Sequence, residues 1–97
     1  MRFEILLAPE AIEDLRRLDP DVRSGVRAAM ELHLRHEPMK TSRSRIKRLQ
    51  GLARPQFRLR VGEVRVFYDI AGSQVEVLAI LPKSKTSEWL AQIGEVE

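Results

Sequence analysis

The sequence predicts an α+β fold, one sheet with helices packed on it, in a single domain spanning residues 1–97. Three observations carry this. Apolar residues recur at helical spacing between about residues 9 and 35. From Pro55 onward the period switches to two, with turn residues between the alternating runs. The chain has 97 residues, 43% hydrophobic and 32% charged, which suits one modest core and no second domain.

Phe3-Glu4-Ile5-Leu6-Leu7 reads as an opening strand, stopped at Ala8-Pro9. Proline fits a first helical turn, where its missing N–H would be unpaired anyway, and Glu10 and Glu13 favour the positive end of a helix. Ala11, Ile12, Leu15 and Leu18 then predict a short helix over about 9–18. Asp19-Pro20 restarts the pattern, with Asp19 as N-cap. Val22, Val26, Ala29, Met30 and His33 share a face of a second helix to about residue 35, so the two form a helical hairpin. Residues 37–53 have no clean period. Thr41-Ser42-Arg43-Ser44-Arg45 reads as an exposed loop whose far end Ile46 and Leu49 pin to the core.

Phe57-Leu59-Val61 and Val64-Val66-Tyr68 are alternating strands around Gly62-Glu63, a two-residue turn of type II′. That turn sets the register: Val61 faces Val64, Arg60 faces Arg65, Leu59 faces Val66, Arg58 faces Phe67 and Phe57 faces Tyr68. Alternation puts Phe57, Leu59, Val61, Val64, Val66 and Tyr68 on the core side. Val75 to Leu81 is apolar on both faces except at Glu76, as an interior strand would be, and Pro82 ends it. Ser84 or Thr86 could cap a last helix carrying Trp89, Leu90 and Ile93, with Trp89 as its packing anchor. The predicted order is β-α-α-β-β-β-α.

Net charge is only +3, but it is unevenly placed. Residues 38–65 hold nine lysines and arginines against Glu63 alone, a balance of +8. The segments on either side are net acidic. Charge segregated in this way acts as a field toward a polyanion or an acidic partner; the plainer alternative is a solvated basic loop. The hairpin sharpens the argument. Arg58, Arg60, Arg65 and Phe67 fall together on the side away from the core, and like charges facing each other across a sheet are destabilising. Phosphate would suit three such forks, and an aromatic among them could stack a base of single-stranded RNA. The competing reading pairs these arginines with Glu76, Asp69 or the terminal acids.

Other chemistry is sparse. There is no cysteine, which excludes disulfides and thiolate metal sites. His33 and His36 are the only histidines and no second cluster completes a metal site, so neither metal nor cofactor is expected. Phosphate-loop, catalytic-serine and paired-carboxylate signatures are absent. No apolar run is long enough to span a bilayer, and Glu4 sits where a signal peptide would begin its apolar stretch, so a cytoplasmic location is expected.

The chain resembles the RelE/ParE superfamily of bacterial and archaeal toxins. The likeness is carried by Pro9, Ala11 and Leu15, by Arg48-Leu49-Gln50-Gly51, and by the run from Phe57 through Arg58, Arg60, Gly62 and Arg65 to Tyr68. It implies a compact antiparallel sheet with an N-terminal helical hairpin, in a toxin of a type II toxin–antitoxin system wrapped by a small acidic cognate antitoxin. RelE-like members cut mRNA in the ribosomal A site, the ribose 2′-OH attacking the adjacent phosphate. ParE-like members poison DNA gyrase without nuclease chemistry. The RelE-like reading makes Arg58, Arg60 and Arg65 the catalytic cations, with Lys83 or Lys85 assisting, and extends the nucleic-acid surface to Arg45, Lys47, Arg48, Arg54 and Phe67. Further alternatives are a non-enzymatic inhibitor of gyrase, and a weakened toxin acting mainly in its antitoxin complex. Where the RelE pattern has an arginine after the last strand and a tyrosine in the final helix, this chain has Ser84 and Leu90.

Overall fold

Pro9 and Pro20 each open a helix: α1 spans Pro9–Arg17 and α2 spans Pro20–Leu34 in the computed structural model, which describes residues 1–96. Asp19 occupies the N-cap of α2 but its side chain makes no capping hydrogen bond. Arg23 instead serves the other side of the joint. Its guanidinium donates to the carbonyls of Leu15, Arg16 and Leu18 at the end of α1, where the Leu15 carbonyl also accepts the Leu18 amide. Ala11 and Leu15 of α1 and Val26, Met30 and Leu34 of α2 are buried at intervals of four, so both helices lay one face on the sheet.

The strands are β1 (Glu4–Leu7), β2 (Ile46–Arg48), β3 (Leu52–Arg54), β4 (Phe57–Val61), β5 (Val64–Ala71), β6 (Gln74–Pro82) and β7 (Glu95–Val96). Five form one sheet in the order β1-β6-β5-β4-β2, and β3 pairs with β7 in a separate two-stranded ribbon. β6 is interior, as its two-sided apolar pattern predicts. The β4–β5 register is the predicted one at all five pairs, from Phe57↔Tyr68 to Val61↔Val64. Gly62 has φ +58 while no non-glycine among the described residues has positive φ, so the turn has its left-handed residue at the first central position only, as type II′ requires.

Beyond the unpredicted β3–β7 ribbon, three features depart from expectation. β1 runs parallel to β6, so the sheet is mixed rather than antiparallel throughout. The basic stretch read as a loop contains β2, whose Ile46 is buried against the core opposite Leu59. The last helix, α3 (Thr86–Ile93), follows a single 3₁₀ turn at Lys83–Lys85, and neither Ser84 nor Thr86 caps it; the Thr86 hydroxyl donates to the Lys83 carbonyl. α3 lies on the sheet face opposite the helical hairpin, where Trp89 stacks on Phe67 with ring centroids 5.0 Å apart.

On the core side Phe57 and Tyr68 stack at 5.5 Å, and the Tyr68 hydroxyl donates to the Pro38 carbonyl at 2.6 Å. That bond ties the segment after α2 to the middle of the sheet. Burial pushes the phenol far above its ordinary pKa, so Tyr68 stays a hydrogen-bond donor rather than a base.

Candidate nucleic-acid interface

The site is built by strand alternation on three adjacent strands. β4 turns Phe57 and Leu59 inward and Arg58 and Arg60 outward; β5 turns Arg65 and Phe67 outward beside them. β2, a strand where the sequence reads as loop, is what places the expected Lys47 and Arg45 on this face. Because Ile46 faces the core and Lys47 pairs with Arg58, Lys47 joins the outward set. The Arg60 amide donates to the Arg45 carbonyl at 2.8 Å, which places Arg45 beside Arg60. Arg45-Arg60-Arg65 and Lys47-Arg58-Phe67 therefore form two parallel rows across the sheet.

These groups differ in what they can reach. Arg45, Lys47 and Arg60 are exposed. Arg65 is only 6% exposed, and its guanidinium donates to the Gly62 and Val64 carbonyls of its own hairpin. Arg58 is half-buried, and its Nε has no hydrogen-bond partner among the described residues. Burial, then the neighbouring Arg65 and Arg60, hold the Arg58 guanidinium below its usual pKa. An arriving anion would offset the repulsion among the three arginines by its opposite charge.

The acids that could have neutralised this face are engaged elsewhere. Arg54 forms ion pairs with Asp69 and with Glu76, each at 2.7 Å. Asp69 also accepts the Gln56 amide, and burial raises its pKa against the opposing pull of these partners. Arg54 is thus already neutralised rather than offered to a nucleic acid. Arg58, Arg60 and Arg65 have no carboxylate within ion-pair distance among the described residues.

Two other expectations change with the geometry. Phe67 is 1% exposed beneath Trp89, so it is a packing residue and not an open stacking surface. Arg48 stands over the Phe57 ring at 5.2 Å, on the core-side margin of the sheet and away from the arginine rows. Lys83 donates its backbone N–H to the Glu63 carbonyl, which brings the 3₁₀ turn beside the hairpin tip. Lys85 lines a cleft with Leu81, Glu88, Trp89 and Gln92 on the far side of Arg65. Both lysines are exposed. No cluster of three metal-ligating side chains occurs among the described residues, and none of their helices is long and apolar enough to cross a membrane.

The family model of the ParE toxin of type II toxin–antitoxin systems matches residues 5–86. The chain belongs to that family. The toxin's fold is shared with solved RelE structures. The archaeal RelE–RelB complex from Pyrococcus horikoshii matches with a TM-score of 0.71 at 18% identity, over 88% of this chain and 99% of that one. A free mutant form of E. coli RelE matches with a TM-score of 0.68 at 18% identity, over 96% and 99%. The RelBE2 toxin–antitoxin complex of Mycobacterium tuberculosis matches with a TM-score of 0.62 at 24% identity, over 84% and 99%. No curated protein sequence matches the toxin.

Proposed function

We propose that the toxin arrests growth in the cytoplasm by cleaving ribosome-bound mRNA, and that a small acidic antitoxin neutralises it. The observation that carries this reading is a group of outward arginines with no carboxylate partner among the described residues, one of them desolvated and its Nε lacking an acceptor there. A phosphodiester in the course of 2′-OH attack gathers negative charge on its oxygens, and fixed guanidinium groups in a partly dry site stabilise that charge most. Arg60 is free to contact the phosphate directly. Arg58 stands behind it, and Arg65 keeps the hairpin carbonyls in place while adding its charge. Lys83, beside the hairpin tip, and Lys85, beyond Arg65, are the assisting cations. The +8 segment over residues 38–65 also suits an acidic segment that folds on binding.

A second reading, inhibition of DNA gyrase without cleavage, is favoured by one feature. Trp89 of α3 covers Phe67 in the middle of the arginine face, and Ser84 and Leu90 supply neither cation nor phenol there.

The deciting experiment separates the two: purified toxin is added to mRNA with and without programmed ribosomes, and Arg60→Gln is compared with wild type. Arg60 is the better probe than Arg65 because its side chain holds no part of the fold. Ribosome-dependent cuts that fall at least 100-fold in Arg60→Gln are expected, on the scale of losing one transition-state hydrogen-bond donor (roughly 10²–10³). No cleavage by folded wild type, together with inhibited supercoiling, would replace this reading by the second.

A further inference from the structure

Beyond Arg58 and Arg65, the face continues past the edge of β4 into a shallow cleft of about 300 Å³ lined by Ser44, Arg45, Arg60 and Gly62. Its walls are fixed by backbone. The Arg45 carbonyl accepts the Arg60 amide at 2.8 Å, and the Ser42 hydroxyl accepts the Arg45 amide at 3.0 Å. The Ser42 amide in turn donates to the Ile46 carbonyl, closing the loop on itself. Neither Arg45 nor Arg60 has an ion-pair partner among the described residues, and the lining contains no carboxylate and no large apolar side chain.

From this we infer that the cleft is a second phosphate subsite, which holds the RNA backbone one nucleotide away from the phosphate at Arg58. The inference rests on the proposed action on RNA and extends it. Lys47-Arg58 and Arg45-Arg60 are two residues apart along β2 and β4, about 6.6–6.8 Å at the usual strand rise. That repeat is of the order of the distance between successive phosphates in an extended single strand. Arg60 stands between the two positions, within reach of either phosphate, so Arg45 and Ser44 are what distinguish the second subsite. At the second subsite Arg45 and Arg60 supply forks for phosphate oxygens, and the Ser44 hydroxyl adds a neutral donor. A protein segment is the weaker fit, since no large apolar side chain lines the cleft to anchor one.

The test uses a fluorescein-labelled, 2′-O-methylated single strand of ten nucleotides, which cannot be cut by 2′-OH attack, so binding is read apart from chemistry. Affinity is measured against salt for wild type, Arg45→Gln, Ser44→Ala and Arg43→Gln. Arg43 is exposed on the same loop but does not line the cleft. For Arg45→Gln the slope of log K against log salt should shrink by about 0.7, the value for one phosphate contact on a single strand. Ser44→Ala should weaken binding with the slope unchanged, and Arg43→Gln should match wild type. All three substituted side chains are exposed, so circular dichroism should report the same fold. An Arg45→Gln slope equal to that of Arg43→Gln overturns the inference, as does a wild type that fails to bind the strand. Competition by hexaglutamate as effective as by the unlabelled strand would likewise overturn it, in favour of an acidic protein. A reduced slope together with absent mRNA cleavage would leave the subsite standing and remove only the nuclease reading.

Discussion

At the scale of single residues, burial decides the role of each charged or polar group. Arg60 and Arg65 face each other across the hairpin, yet one is exposed and the other is 6% exposed and bonded to its own turn. His33 illustrates the same rule with a consequence for pH. Burial, and then Arg45, hold its imidazole below the ordinary histidine value. The folded protein therefore binds the proton less readily than the unfolded chain. The neutral form contributes stability that is fully present above the ordinary value and is lost as pH falls through the folded one. Acidification from about pH 7.5 to about pH 5 should lower the urea midpoint more in wild type than in His33→Gln. Equal losses in the two proteins would assign the acid sensitivity to other groups. Sequence alternation told which side of the sheet each of these residues takes. It could not tell what lies over that side, and so Phe67 looked available when Trp89 covers it.

At the scale of elements, the β4–β5 hairpin was legible because Gly62-Glu63 admits one turn type and the turn fixes every pair beyond it. β2 was not, since three residues with a single apolar member give alternation nothing to repeat. β3 and β7 escaped for the same reason, being held by pairing across some forty residues rather than by local pattern. The join between α3 and β7 shows how tight such an attachment is. A Cβ built on Gly94 would lie 2.6 Å from the Leu90 carbonyl oxygen and 3.3 Å from Leu52 Cδ2, although its φ of −60 suits any residue. Gly94→Ala should therefore destabilise the toxin by about 1–3 kcal/mol through overpacking. Amide exchange should quicken first in α3 and in the β3–β7 ribbon. Unchanged exchange there would mean that the clash is absorbed without moving either element.

For the molecule as a whole, the dominant imbalance is electrostatic. Arg45, Lys47, Arg58, Arg60 and Arg65 share one face, while Asp69 and Glu76 are taken by Arg54. Repulsion among partly exposed like charges is screened by salt, with a Debye length of about 10 Å at 0.1 M and 3 Å at 1 M. Raising sodium chloride from about 0.05 M to about 0.5 M should thus raise the Tm of the free toxin, and the Arg45→Gln/Arg60→Gln double variant should respond less. A Tm that falls with salt would show that attractive pairs such as Arg54 with its two acids outweigh the repulsion. The charge imbalance was plain in the sequence; its partition between Arg54 and the open rows was not, because Asp69 and Glu76 are 15 and 22 residues away from Arg54. The parallel pairing of β1 with β6 carries a further consequence, for biosynthesis. Glu4 finds its partner at Gln74 and Leu7 finds its partner at Val77, so β1 has no place in the sheet until β6 has left the ribosome. Most of the chain must therefore wait, tethered and incomplete, while it is being translated. The five-stranded sheet closes only once residues 74–77 are free to receive β1.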